Sequence, residues 1–214
     1  MPILSQRLLN GYLLFKKTLN LKNSKRYSSL AETGQNPDIM VIACCDSRVA
    51  PELIFNTMPG EIFVVRNISN LVPPYCPDSS YHSTSAALEY GVCILNVKQI
   101  LVLGHEDCGG ITKVLCEEKA THQGEDFINK WLSLIKPLSA PLKNNVSLNI
   151  SEKSIILEQS SLMQSIANLR SFPWILEREQ KGIIQLNAAW FSIKNSELWV
   201  LDEQQNTFLK IENA

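Results

Sequence analysis

The 214-residue chain sets 20 Lys and Arg against 21 Asp and Glu, a near-neutral balance that excludes the strong field of a nucleic-acid or membrane-surface protein and points to a small ligand. Its length suits one α/β domain, 1–214, with a real core. Its six cysteines, at 44, 45, 76, 93, 108 and 116, are irregularly spaced and several fall in apolar runs, which excludes the disulfide framework of a small secreted domain and favours a reducing compartment, the cytoplasm.

Residues 1–33 read as a helical arm rich in Leu and Lys, with a break at 20–24. The first 31 residues hold six Lys or Arg and no acid, as in a transit peptide, but such segments are also rich in Arg and this one is not. Leu8-Leu9, Tyr12-Leu13, Phe15 and Leu19 recur at helical spacing. Gly34-Gln35-Asn36-Pro37 is turn chemistry that introduces a strand at 39–44, and Pro51 opens a short helix to Phe55. A second strand, 62–66, precedes a proline-containing loop to Ser80, and Ser83-Thr84-Ser85 predicts the cap of a buried helix running toward Leu95. The apolar run from Tyr90 to Gly104 is divided by Asn96, Lys98 and Gln99 into a helix end and a third strand at 99–104, so no transmembrane segment is expected. Gly109-Gly110 lead into a helix through Leu115, which puts Cys108 near a helix N-terminus, where the macrodipole favours a thiolate. Phe127, Trp131, Leu134, Ile135 and Leu138 mark an amphipathic helix ending before Pro141. Residues 143–154 read as surface loop, and 155–169 as a longer helix ended by Phe172-Pro173-Trp174. A fourth strand runs from Ile183 toward Phe191, Lys194-Asn195-Ser196 turns the chain, and Glu197 to Leu201 is an antiparallel edge strand. The fold class is α/β: a mostly parallel central sheet flanked by helices, with the N-terminal helical arm and a C-terminal antiparallel hairpin.

Chemistry concentrates in Cys44-Cys45-Asp46-Ser47-Arg48 and Gly104-His105-Glu106-Asp107-Cys108-Gly109-Gly110, each where an apolar, β-branched run stops. Both read as loops at the carboxyl ends of buried parallel strands, where open α/β sheets bind ligands. Cys44, His105 and Cys108 would there bring together two sulfurs and one nitrogen, a set that suits Zn²⁺ and leaves a tetrahedral position open. His105 as an ordinary core histidine is the alternative. Asp46 and Arg48 are either a plain surface ion pair or, beside a metal, a carboxylate to accept a proton from water and a guanidinium to hold it. Cys45, Cys76, Cys93 and Cys116 read as small packed hydrophobes. A phosphate-cradling Cys-x₅-Arg loop, a Cys-x-x-Cys pair and a Gly-x-x-x-x-Gly-Lys loop are all missing.

Cys-x-Asp-Ser-Arg-Val with Gly-His-x-x-Cys-Gly-Gly strongly resembles the β-class carbonic anhydrases, plant-type members above all. The likeness extends through Gly34 to Pro37, Val64 to Tyr75, Thr84 to Tyr90 and Glu197-Leu198-Trp199. It implies zinc on Cys44, His105 and Cys108, with hydroxide at the fourth position attacking CO₂ to give bicarbonate, and Asp46 and Arg48 as the catalytic dyad. It further implies Gln35 and Gly109 as contacts to the bound oxygens, and Phe63, Ile68 and Tyr90 as an apolar wall around CO₂, completed by a neighbouring subunit. A homodimer or higher homo-oligomer follows from the same resemblance.

The chain departs from the pattern at Glu106-Asp107, two carboxylates expected to raise the pKa of water at the metal. It departs also at Ile94, where some plant members carry a shuttling His; His82 and His122 read as ordinary surface histidines. A hydrolase acting on a CO₂ analogue such as CS₂, and a non-catalytic zinc or bicarbonate-binding regulator, are the competing readings.

Overall fold

The computed structural model describes residues 4–19, 21–116 and 126–212. They fall into two compact units, Met1–Asn36 and Pro37–Ala214. The first holds helices α1 (Gln6–Thr18) and α2 (Leu21–Thr33), so the break between them is narrower than 20–24. Lys16 and Lys17 suit the negative end of the α1 dipole, and Phe15 meets Tyr27 edge-on with ring centroids 5.9 Å apart. No residue of α1 is buried; Leu8, Tyr12, Leu13, Leu14 and Phe15 are exposed.

The second unit is built on a six-stranded sheet in the order β2-β1-β3-β4-β5-β6. Its strands are β1 (Ile39–Cys44), β2 (Ile62–Asn67), β3 (Gln99–His105), β4 (Gln185–Ser192), β5 (Glu197–Asp202) and β6 (Thr207–Lys210). The first four pair in parallel, and β4-β5 and β5-β6 are antiparallel. The hairpin expectation holds, but β5 is not the edge. Thr207-Phe208-Leu209-Lys210 adds β6 outside it, with Phe208 turned into the core.

Alternation along the strands divides the core. Met40, Ile42, Ile100, Val102, Ala188 and Trp190 share one cluster with Leu162, Ile166 and Leu169, while Val41, Ala43, Leu103 and Ala189 form another. Helices α3 (Pro51–Ile54), α4 (Ser83–Glu89), α5 (Gly109–Cys116), α6 (Asp126–Leu132), α7 (Lys136–Lys143), α8 (Ile150–Leu169) and α9 (Pro173–Gln180) complete the α-helices among the described residues. No helix among the described residues is long and apolar enough to cross a membrane.

Several helix boundaries differ from expectation for local reasons. Asn149 and Glu152 form a reciprocal capping box, so α8 starts inside the stretch 143–154 taken as loop. Pro173 not only ends what precedes it but opens α9 as a first-turn proline. The helix expected from Phe127 to Pro141 is two, α6 and α7, with Pro137 at the start of the second, Pro141 inside it and Phe127 exposed. At α4 the cap position is His82 rather than a residue of 83–85, and the helix widens into a π turn over Tyr90–Ile94. There Gly91 lets the backbone approach β1: a Cβ at 91 would lie 2.9 Å from Met40 Sδ. Cys45, Cys76, Cys93 and Cys116 are all exposed, so the reading of them as packed hydrophobes is corrected.

Helix α8 presses on the sheet where β3 carries a glycine: a Cβ at Gly104 would come within 3.0 Å of Leu162 Cδ1. Leu162 is fully buried there. Leu162→Ala should therefore lower the unfolding free energy by about 2–5 kcal/mol, read from the urea midpoint at unchanged m-value.

Candidate metal centre

Chain order and strand order together position the site. From β1 the chain crosses to β2 on one side, then returns past β1 to β3 on the other. The loops leaving β1 and β3 therefore diverge, which makes a crevice at their carboxyl ends. Cys44 ends β1, His105 ends β3, and Cys108 precedes α5.

The structure brings Cys44, His105 and Cys108 together: their ligand atoms all lie within 4.8 Å of one another, and all three residues are buried. His105 Nδ1 lies 2.7 Å from the Glu106 carbonyl oxygen; a carbonyl only accepts, so Nδ1 carries the proton and Nε2 its lone pair. That Nε2 is buried without a hydrogen-bond partner, an unsatisfied donor atom of the kind a cation fills. The two sulfurs are coupled. A hydrogen bond to Cys108, then burial, push the Cys44 thiol up to about 12, while the bond from Cys44 leads the causes holding Cys108 down at about 7. The pair thus keeps a proton that a divalent cation would displace. Two sulfurs and one nitrogen make a borderline-soft set, and the residues fit zinc.

Asp46 and Arg48 form a forked pair. Arg48 Nε donates to Oδ1 at 2.9 Å and Nη2 to Oδ2 at 2.7 Å, and the Arg48 N–H adds 2.9 Å to Oδ1. Nη2 also donates to the Asp107 carbonyl at 3.1 Å, which ties the first cysteine loop to the second. The guanidinium holds the Asp46 carboxyl well below the usual carboxylate range. Arg66, which sequence reasoning left without a role, reaches across from β2 to the same loop. Its Nε donates to the Cys44 carbonyl at 2.8 Å and its Nη2 to the Asp46 carbonyl at 2.6 Å.

The other expected site residues are distributed more widely. Gly109 opens α5 with empty space where its Cβ would be. Ile68 is partly exposed, and its carbonyl accepts from Trp131 Nε1 at 2.8 Å. Phe63 sits opposite Met40 on β2, four residues before Asn67, which pairs with Cys44; at ~3.3 Å per residue that is about 13 Å back along the strand. It meets Tyr90 at 5.9 Å between ring centroids. Gln35 is exposed and belongs to the first unit. His82 hydrogen-bonds Asp78 at 2.8 Å on the surface; His122 lies outside the described residues. The expectation of two carboxylates crowding the metal is corrected for Glu106. Because His105 pairs with Phe191, residue 106 falls beside Ser192, and its Oε2 accepts from Ser192 Oγ at 2.8 Å and the Lys194 N–H at 3.0 Å.

A different carboxylate lies under the site. Glu158 is buried on α8; its Oε1 accepts from the Cys108 N–H at 3.1 Å and Ser154 Oγ at 3.0 Å, and its Oε2 from Trp190 Nε1 at 2.9 Å. Burial pushes its carboxyl up, against these donors. A signal existed in the sequence, since Glu158 interrupts a helix face that is otherwise Ser, Leu and Ile.

Comparison with known proteins gives one consistent result. A family model described as Carbonic anhydrase matches residues 39–198. Beta carbonic anhydrase 3 of Arabidopsis thaliana is 38% identical over 202 residues, 92% of this chain and 77% of that protein. Among solved structures, the β-carbonic anhydrase CcaA superposes with a TM-score of 0.86 at 27% identity, covering 97% of this chain and 92% of that one. A tetrameric β-carbonic anhydrase of the filamentous ascomycete Sordaria macrospora gives 0.77 at 28%, over 91% and 95%.

Replacing Glu158 tests its support of the cysteine loop. Glu158→Leu leaves the Cys108 N–H and Trp190 Nε1 without an acceptor, at about 1–3 kcal/mol per orphaned group. Denaturant unfolding of the metal-free protein should show that loss, and a smaller one in Glu158→Gln, which keeps one acceptor oxygen.

Proposed function

This chain belongs to the β-class carbonic anhydrases, and from that membership we propose that it catalyses the zinc-dependent, reversible hydration of CO₂ to bicarbonate and a proton. The observation that carries the reading is the buried Cys44, His105 and Cys108 triplet with its unpartnered Nε2, set beside the Asp46–Arg48 fork. Cys44 Sγ, His105 Nε2 and Cys108 Sγ would hold the zinc. When bound, Zn²⁺ supplies Lewis acidity that lets water lose a proton near neutral pH, so a nucleophile for CO₂ arises without strong base.

The chain's residues do the remainder. Asp46, ionised and gripped by Arg48, accepts a hydrogen bond from the reacting water and orients it. A carboxyl held so far below the usual range is a poor resting place for the proton, which passes on to solvent. Arg48, anchored on the Asp107 carbonyl, keeps Asp46 off the metal. Arg66 fixes the carbonyls on either side of Cys45 and so the spacing of ligand and dyad. The Gly109 backbone contacts the substrate oxygens, and Phe63, Ile68 and Tyr90 supply apolar surface suited to uncharged CO₂. The exposed apolar residues of α1 and the partly exposed Tyr90 support a homodimer or larger homo-oligomer, as does the tetrameric relative. Six free cysteines favour a reducing compartment, taken as the cytoplasm.

Chelation should abolish CO₂ hydration measured by stopped flow, and zinc should restore it. In metal analysis Cys45→Ala should keep one zinc per chain while Cys44→Ser loses it, since an alcohol does not ionise at neutral pH; the reverse result would overturn the ligand assignment. Arg48→Ala and Asp46→Asn should retain zinc but cut turnover by at least ~10²-fold. Near-normal rates in either would reduce the dyad to a surface ion pair.

A further inference from the structure

Ser69 is fully buried and takes φ 62° and ψ 23° inside the short 3₁₀ turn Ile68–Asn70. Glycine takes that left-handed geometry freely, and serine only at a cost. The turn is locked from outside. Asn67 Oδ1 accepts from the Leu71 N–H and its Nδ2 donates to the Leu71 carbonyl, both at 2.9 Å, and Trp131 secures the Ile68 carbonyl. Backbone conformation gives no reason for a serine here.

What serine brings is a hydroxyl, and its Oγ lies 3.4 Å from Cys108 Sγ, within reach of a hydrogen bond to sulfur. The facing element makes room for it. A Cβ at Gly110 would lie 2.1 Å from Ser69 Oγ and 3.1 Å from Ile68 Cγ2, so only glycine fits at the start of α5 with the hydroxyl in place. The turn after β2 and the first turn of α5 thus both give up conformational ease, and both accommodate the contact of Oγ with Sγ.

We propose that Ser69 is a positioning residue for the metal centre: its hydroxyl donates a hydrogen bond to the Cys108 thiolate, fixing that ligand's orientation and drawing off part of the charge its sulfur gives the metal. The inference rests on the reading of Cys44, His105 and Cys108 as ligands. A metal-bound thiolate has no proton to offer, so the hydrogen in this contact belongs to Ser69. Partners of metal ligands act in this way on both affinity and the electron density at the ion.

The test compares Ser69→Ala and Ser69→Gly with the wild type in full-length protein loaded with Co²⁺ in place of zinc. Both variants remove the hydroxyl, but alanine keeps the left-handed cost that glycine relieves. The sulfur-to-cobalt charge-transfer band should move to longer wavelength in both, and zinc affinity by chelator competition should fall by about tenfold in both. Thermal midpoints should differ, glycine melting above alanine. A band at the wild-type position and unchanged zinc affinity in both variants would overturn the inference, as would a change confined to one of them, since both lack the hydroxyl. Wild-type protein that binds Co²⁺ without any sulfur charge-transfer band would instead overturn the ligand reading, and the inference with it.

Discussion

The candidate centre depends on the register between β1 and β3. Ile39 faces Gln99, and the pairing continues in step to Ala43 opposite Leu103, so the two strands end within one residue of each other and deliver Cys44 and His105 to one crevice. A slip of one residue would turn every side chain of one strand to the opposite face. The register is pinned from both sides of the sheet. Met40 and Ile42 with Ile100 and Val102 commit one face to the core that contains α8 residues, while Val41 and Ala43 with Leu103 commit the other. The same α8 carries Glu158 to the Cys108 N–H, so the packing that fixes the strands also fixes the third ligand's loop.

Charge is the second constraint. Two sulfurs and a carboxylate converge in a region closed to water, and without a cation their ionisation is mutually opposed. Only Cys44 shows that opposition, raised by its neighbour and by burial; Cys108 is lowered by the bond it receives, and Glu158 is raised by its own burial. A divalent cation at the triplet would favour the ionised form of Cys44, the thiol that its neighbour and burial hold protonated, and in this respect the donor set suits a metal. The fixed positive charges sit at the rim. Arg48 and Arg66 bind carbonyls and a carboxylate rather than the sulfurs, so neither competes with a metal for its ligands.

The sequence made legible whatever is written in contiguous residues. The two cysteine motifs, the strands that end in them and the order of the parallel sheet follow from apolar runs broken by distinctive loops. In the sequence Glu158 shows only as a charge on the buried face of α8; two of its partners, Cys108 and Trp190, come from other segments, and folding brings them to it. Glu106 was misjudged for the same reason: proximity to His105 along the chain suggested proximity to the metal, but pairing of β3 with β4 turns it to Ser192 and the Lys194 N–H. Helix α9 and the early start of α8 are hard to read in the sequence because a proline can stop a helix or open one and because the Asn149 and Glu152 capping pair lies in a polar stretch that resembles loop. Strand β6 offered only four residues, with one, Phe208, buried, too short a pattern to distinguish from a polar tail.

The distribution of apolar groups carries the synthesis one step further. Around the triplet the described surface offers Ile68 and the open side of Gly109, while the Phe63–Tyr90 ring pair stands about four strand residues back from its own Cys44. Within one chain Phe63 packs against the core of Met40 and Ile42, and the strand holds it at a fixed distance from its end. Tyr90 nevertheless stays 44% exposed on a π turn that Gly91 allows to approach β1, a costly backbone form for a residue that merely faces solvent. Under the proposed function the rings gain a purpose when a second copy of the chain brings them against its own crevice, where uncharged CO₂ calls for apolar surface. On that proposal the Cys44, His105 and Cys108 triplet lies within one chain while the apolar wall would draw on two, and an oligomer would then serve the chemistry of the site as well as its stability.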